Sequence, residues 1–210
     1  MDRNVFMRQA AKDVMDFIPE DLRDGLAMVC DISLTKGQDI WRTTVAREMA
    51  EKNDYDVDAL FDHAMKSFVK LEPPVLADMA GAIFGGEKVN YLAFGERLYP
   101  DEKQLMYVLS NDTGVLGASV LFYPGVQEQI ANVFDEGYTV LPSSVHEVLI
   151  VPDSAGVDAA SLKDMVREAN RLVVEDKDIL SDNIYHYDPK EKTLTTVNDR
   201  DDRAPEAGRS

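Results

Sequence analysis

With 210 residues, 45% of them hydrophobic, the chain can bury most of its apolar surface as one ordinary domain or two small ones, so it needs no disulfide framework. Its net charge of -17 repels nucleic-acid phosphates and anionic lipid, which argues against direct nucleic-acid binding and against a membrane role. A single cysteine, Cys30, no secretory h-region and no apolar run of roughly 18 residues point to a soluble protein of the reducing cytoplasm.

From Val5, the spacing of Phe6, Ala10, Val14 and Phe17 predicts a helix closed by Pro19. "LAMVCDISL" reads as a strand ending at the turn "TKGQD", with Cys30 a packed thiol that no neighbouring His, Lys or Arg activates. "WRTTVAREMAEKN" predicts a short helix capped by Thr43 or Thr44. A longer helix follows in "DVDALFDHAMKSFV", where Val57, Leu60, Phe61, Ala64, Met65 and Phe68 form one stripe behind an Asp56 cap; Pro73 and Pro74 end it. "LADMAGAIF" then suggests a short helix before a loop-rich connection whose softest point is Gly85–Gly86. The expected organisation is a mainly helical segment with one strand over 1–84, a connection over 85–103, an α+β domain over 104–198 and a polar, disordered tail over 199–210.

Within 104–198, "LMYVL" and "VLGASVLFY" flank the turn-type cluster "SNDTG", which predicts a hairpin. "PGVQEQIANVF" predicts a helix with Pro124 at its first position and Val126, Ile130, Val133 and Phe134 inward. "YTVL" and "VHEVLIVP" read as strands, the run "VLIV" suiting a strand covered on both faces. A helix over about 158–173 places Leu162, Met165, Val166, Ala169 and Leu172 on one face, with Ser161 and Asp164 as a capping box. "NIYHYD" and "KTLTTV" form a last hairpin through "PKE". The predicted class is therefore α+β: a helical first third, then a mainly antiparallel sheet with two interspersed helices covering one face.

The stretch "YTVLPSSVHEVLIVP", from Tyr138 to Pro152, gathers the chemistry. Read as extended chain, it places Ser144 and His146 on one face, about 6.6 Å apart along the strand, and Ser143 and Glu147 on the other. A hydrolase would use Ser144 as nucleophile and His146 as base, with Asp182 or Glu147 as orienting acid, but no G-x-S-x-G signature or oxyanion hole accompanies them. The plainer reading makes these residues polar fasteners. Ser143 and Ser144 satisfy backbone groups at the entrance of a buried strand, His146 bridges two segments at the sheet rim, and Asn170, Ser181 and Asp182 play similar parts. His63, His146 and His186 fall on separate elements without ligand spacing, and Gly85–Gly86, Gly114 and Gly117 lack a phosphate-loop pattern, so neither metal nor cofactor is expected.

The ordered set "MYVLSN", "GASVLFYPGVQEQIA", "YTVLPSSVHEVLIVP", "MVREANRLVV" and "LSDNIYHYD" resembles a family of uncharacterised bacterial proteins, a domain of unknown function, most strongly over 106–188. The resemblance implies a cytosolic bacterial protein with no assigned activity. Family members usually carry further sequence before the helix expected near Val5, which implies a shortened member or one portion of a longer product. With no complete catalytic or cofactor set, the expected role is a non-enzymatic interaction or regulatory protein whose partner is another protein. The alternatives are the Ser144–His146 hydrolase and an acidic surface that imitates DNA and occupies a nucleic-acid-binding protein.

Overall fold

The computed structural model describes residues 2–10, 27–36, 39–44, 69, 72–79, 89–95 and 97–198. Three strands, β1 (Asp2–Ala10), β2 (Ala27–Lys36) and β3 (Asp39–Thr44), form an antiparallel sheet in that order. β2 is the strand read in "LAMVCDISL". The helix expected from Val5 is replaced at its start by β1, which pairs along its whole length with β2, Val5 opposite Ile32. Spacing at Phe6 and Ala10 fits a helix, yet pairing with a strand rich in β-branched residues overrides that local period. Trp41–Thr44, expected to open a helix, lie in β3. The rest of both helices, the helix over 56–69 apart from Val69, the Gly85–Gly86 boundary, the tail and the packing of Cys30 lie outside the described residues.

The second sheet contains β4 (Pro74–Asp78), β5 (Tyr107–Asn111), β6 (Tyr138–Ser144), β7 (Glu147–Pro152), β8 (Tyr185–Asp188) and β9 (Thr193–Thr196), in the order β4-β5-β7-β6-β8-β9. All its pairs are antiparallel. With α1 (Tyr91–Phe94), α2 (Val126–Phe134) and α3 (Ala159–Leu172), it gives an α+β fold.

β4 occupies residues expected to open a short helix, and it pairs with β5, so the sheet begins before Gly85. Pro74 suits this edge because it has no N–H to leave unpaired. Asn90 closes the edge: its Oδ1 accepts the N–H of Leu76 at 3.1 Å, and its Nδ2 donates to the Pro74 carbonyl at 3.0 Å. An amide side chain thus stands in for a further strand.

The expected hairpin across "SNDTG" does not form. Both edges of β5 are already taken, by β4 and β7, and Leu116 turns left-handed at φ 56°, so the apolar run coils into a buried 3-10 helix at Gly117–Phe122. An unbroken apolar run cannot by itself distinguish buried strand from buried helix. The final hairpin, β8–β9, forms as expected.

The two longer helices cover opposite faces, not one. α2 packs Ile130, Val133 and Phe134 on the face of Tyr107, Tyr138, Val140, Ile150, Tyr185 and Tyr187. α3 packs Leu162 and Val166 on Leu141, Val151 and Ile184. β7 lies between β5 and β6 with packing on both sides, which is why "VLIV" is continuously apolar. Two caps differ from expectation. Pro124 precedes the Gly125 cap of α2, and α3 is capped by Asp158, whose Oδ1 accepts the Ser161 N–H at 2.9 Å, leaving no Ser161–Asp164 box. Met165 and Leu172, expected inward, are exposed.

Candidate functional site

β6 and β7 form a hairpin, with Ser144 opposite Glu147 after a register shift that follows Leu141. Val145 and His146 are its tip. "PSSVHE" is thus a turn and not the entrance of one continuous strand, so the expected sharing of a strand face by Ser144 and His146 does not hold. Ser144 Oγ accepts the backbone N–H of His146 at 3.1 Å, which closes a serine turn at the hairpin tip. Ser143 lies in the shifted stretch and is half-buried.

Around His146 three segments meet. Its carbonyl accepts the Gly117 N–H at 3.0 Å and the Ser110 hydroxyl at 2.7 Å. Its ring Nδ1 accepts the Leu116 N–H at 3.1 Å, and Nε2 stands 3.8 Å from an Asp178 carboxylate oxygen. Accepting at Nδ1 leaves the neutral ring's proton on Nε2, facing that carboxylate. Val145 adds two backbone bonds, donating to the Asp178 carbonyl at 2.9 Å and accepting from Ala118 at 3.3 Å. Both ring nitrogens are thus turned toward fixed groups of the fold.

Asp182 takes part in a different network. Asn170 Nδ2 donates to Asp182 Oδ1 at 2.8 Å and to the Ser181 carbonyl at 3.1 Å, while Ser181 Oγ accepts from Asn183 N–H and Tyr185 O–H. Asn170 Oδ1 is buried and has no hydrogen-bond partner among the described residues. Among the described residues no hydrogen bond joins Ser144, His146 ring and Asp182, and Glu147 stands across the hairpin from Ser144. No group of three or more His, Cys, Asp or Glu among the described residues could hold a metal ion. His63 lies outside those residues.

Two polar clusters escaped the sequence. Glu72, only 4% exposed, accepts from Asn111 Nδ2 at 2.6 Å, and its carbonyl accepts the Tyr123 hydroxyl at 3.2 Å. Burial, reinforced by the Glu72 charge, pushes the Tyr123 phenol far above its usual range. The second cluster is His186, whose Nε2 lies 3.1 and 3.2 Å from the two Asp153 oxygens. That hydrogen bond raises the imidazole above its ordinary pKa despite the opposing effect of burial. Stability from the pair is complete below the unfolded imidazole pKa and is lost as pH rises through the folded value. Both side chains are more than one-third exposed, so solvent screening keeps the contribution small.

His146→Ala is expected to lower stability by about 1–3 kcal/mol, because the Leu116 N–H loses its acceptor. Urea unfolding measures it. An unchanged midpoint would mean that water replaces the imidazole without cost.

A family model described as a family of unknown function, DUF5688, matches residues 4–189. No curated protein and no solved structure matches the chain. Among the described residues no helix is long and apolar enough to cross a membrane.

Proposed function

The chain belongs to DUF5688, a family of unknown function, and we propose that it works by binding another protein and not by catalysis at the Ser144–His146 turn. The observation that carries this reading is the outer side of α3. Met165 is 44% exposed, Leu172 64% and Val173 81%, with half-buried Ala169 between them, while Leu162 and Val166 serve the core. Positions 165, 169 and 172 follow helical spacing, so they form one ridge. Single exposed apolar residues are ordinary, but a ridge rimmed by Asp164, Arg167, Glu168 and Arg171 has the make-up of a protein interface. The occupant is a protein with an apolar patch and a surround of mixed charge, matching the two acidic and two basic residues of the rim, and not a polyanion, which the net charge of -17 repels.

Catalysis at the turn fits the geometry poorly. A general base must reach the proton it removes, and here Ser144 Oγ accepts from backbone while His146 Nδ1 does the same.

The test is affinity capture from native cytosol with the wild-type chain and with a Leu172→Glu/Val173→Glu variant, at low and raised salt. The substituted sites are exposed, so folding should change by no more than about 0.5 kcal/mol. The expected result is a partner retained as salt rises and lost with the variant. A nucleic-acid-binding partner lost with salt and indifferent to the variant would favour the DNA-mimic reading instead, because screening weakens exposed charge contacts. Turnover of an ester or peptide library that disappears in Ser144→Ala would overturn the proposal.

A further inference from the structure

Sheet register sets Thr139, His186 and Thr195 directly opposite one another on β6, β8 and β9. Residues so paired project from the same face. It is the face that α3 covers, since the neighbouring Leu141 and Ile184 pack with Leu162 and Val166. The row itself borders a groove of about 280 Å³, whose apolar lining includes Val157, Ala159 and Leu162. Among the described residues the hydroxyls of Thr139 and Thr195 have no hydrogen-bond partner, and His186 uses only Nε2, on Asp153. The lining is about equally polar and apolar, and a concavity that joins an apolar wall to a few convergent polar groups is the general form of a small-molecule site.

The dyad beside the groove is built into the backbone. A Cβ on Gly137 would stand 2.5 Å from Asp153 Oδ2, 2.8 Å from the Tyr187 carbonyl and 3.2 Å from His186 Nε2, so only glycine lets carboxylate and ring settle there. The Gly137 carbonyl accepts the Asp153 N–H at 3.1 Å. Glu136 takes the Ser154 N–H at 3.0 Å and its hydroxyl at 2.6 Å, and is itself paired with Lys103 at 2.6 Å. Asp153 is therefore fixed, and it fixes the ring.

We propose that this groove binds a small aliphatic carboxylate, its oxygens on the row Thr139–His186–Thr195 and its chain against Val157, Ala159 and Leu162. With Nε2–H directed at Asp153, the ring in its charged form offers Nδ1–H as a donor, and the two threonine hydroxyls add donors on either side. Asp153 and Asp188 are the charged groups acting on the ring. β6, β9 and the first turn of α3 line the groove with Thr139, Thr195, Thr196, Ala159 and Leu162, none of which titrates near neutral pH. Those carboxylates and the net charge disfavour a phosphate dianion more than a monoanion, and the apolar wall suits an alkyl chain.

The experiment is a 1H–13C NMR titration of the full chain with butyrate, inorganic phosphate and butyramide, in which only three histidines report. Loss of one signal in His186→Gln assigns the resonance. Butyrate is expected to shift the His186 signal saturably and phosphate far more weakly, while butyramide leaves it in place. Affinity should fall about tenfold per pH unit above the His186 titration midpoint, the signature of binding to the protonated ring. A Thr139→Val/Thr195→Val variant, which leaves the Asp153 pair intact, should keep the titration of His186 and lose the saturable shift. A shift that stays linear with concentration, that persists in the double variant, or that phosphate produces better than butyrate overturns the proposal.

Discussion

Phe134→Ala is expected to destabilise the chain by about 3–5 kcal/mol, the range for truncating a buried aromatic. Phe134 ends α2, is fully buried, and sits in the middle of a run of rings that crosses the sheet. Its centroid is 4.8 Å from that of Tyr107 on β5 and 6.5 Å from that of Tyr138 on β6. Tyr107 continues the run to Tyr91 of α1 at 5.5 Å, edge-on, and Tyr138 continues it to Tyr187 of β8 at 5.1 Å, stacked. Alanine would leave a void between two tyrosines held by other bonds. The Tyr107 hydroxyl oxygen accepts the Gln104 N–H at 2.8 Å, and the Tyr138 O–H donates to the Gln127 carbonyl at 3.2 Å, so neither ring can swing in to fill it. For a chain of this length the melting temperature should drop by about 6–20 °C. Phe134→Leu, which keeps much of the volume, should cost clearly less. Equal small losses for both variants, below about 1 kcal/mol, would mean that the site collapses around the change and that the run is not a single packed unit.

The parts of this fold that the sequence discloses are those whose stability is local. α2 shows in the spacing of Val126, Ile130, Val133 and Phe134, all buried, and the β8–β9 turn shows in "DPKE", where Asp188 Oδ1 accepts the Lys190 and Glu191 N–H groups. Elements fixed by distant partners are hidden. The β6–β7 turn carries no Gly, Asn or Asp and has apolar Val145 at its tip. It is stable because Ala118 and Asp178, far away in sequence, bond the backbone of that valine. β4 depends in the same way on Asn90 and on its pairing with β5.

The site divides along the same line. Asn170, Ser181 and Asp182 could be picked out as polar residues in an apolar context, and they bond one another across 11 or 12 positions. His146 could be placed at a rim between segments, but Leu116 and Asp178 could not be named as its neighbours. His186 was visible only as a histidine without metal-ligand spacing. Its carboxylate partner lies 33 residues away, and the row it forms with Thr139 and Thr195 exists only once the strand order is known. α3 misled for another reason. Its apolar residues span more of the helix surface than one core can cover, and periodicity gives the width of a stripe without saying which part is left outside.

Gly117→Ala should be as damaging as the loss of Phe134, about 3–5 kcal/mol, by overpacking at the point where the segments around His146 meet. A Cβ on Gly117 would lie 2.5 Å from the Asn111 backbone nitrogen and 2.9 Å from the His146 carbonyl oxygen, and would overlap Ser110 Oγ outright. The serine could rotate, but backbone of β5 and of the hairpin tip cannot yield without breaking bonds. The displaced carbonyl is the one that accepts both the Gly117 N–H and the Ser110 hydroxyl, so the same movement strips two donors of their acceptor. Two controls separate this from the general effect of replacing glycine. Gly114→Ala sits at φ 68° with nothing within 4 Å, and should cost only about 1–2 kcal/mol of left-handed backbone strain. Ser110→Ala combined with Gly117→Ala removes the side-chain overlap together with the Ser110 donor, leaves both backbone contacts in place, and should recover less than half of the loss. Urea unfolding of the four chains decides the matter. If Gly117→Ala proves no worse than Gly114→Ala, or if removing the Ser110 hydroxyl restores full stability, then the backbone around His146 is pliable, and the turn is not the rigid fastener that its bonding pattern describes.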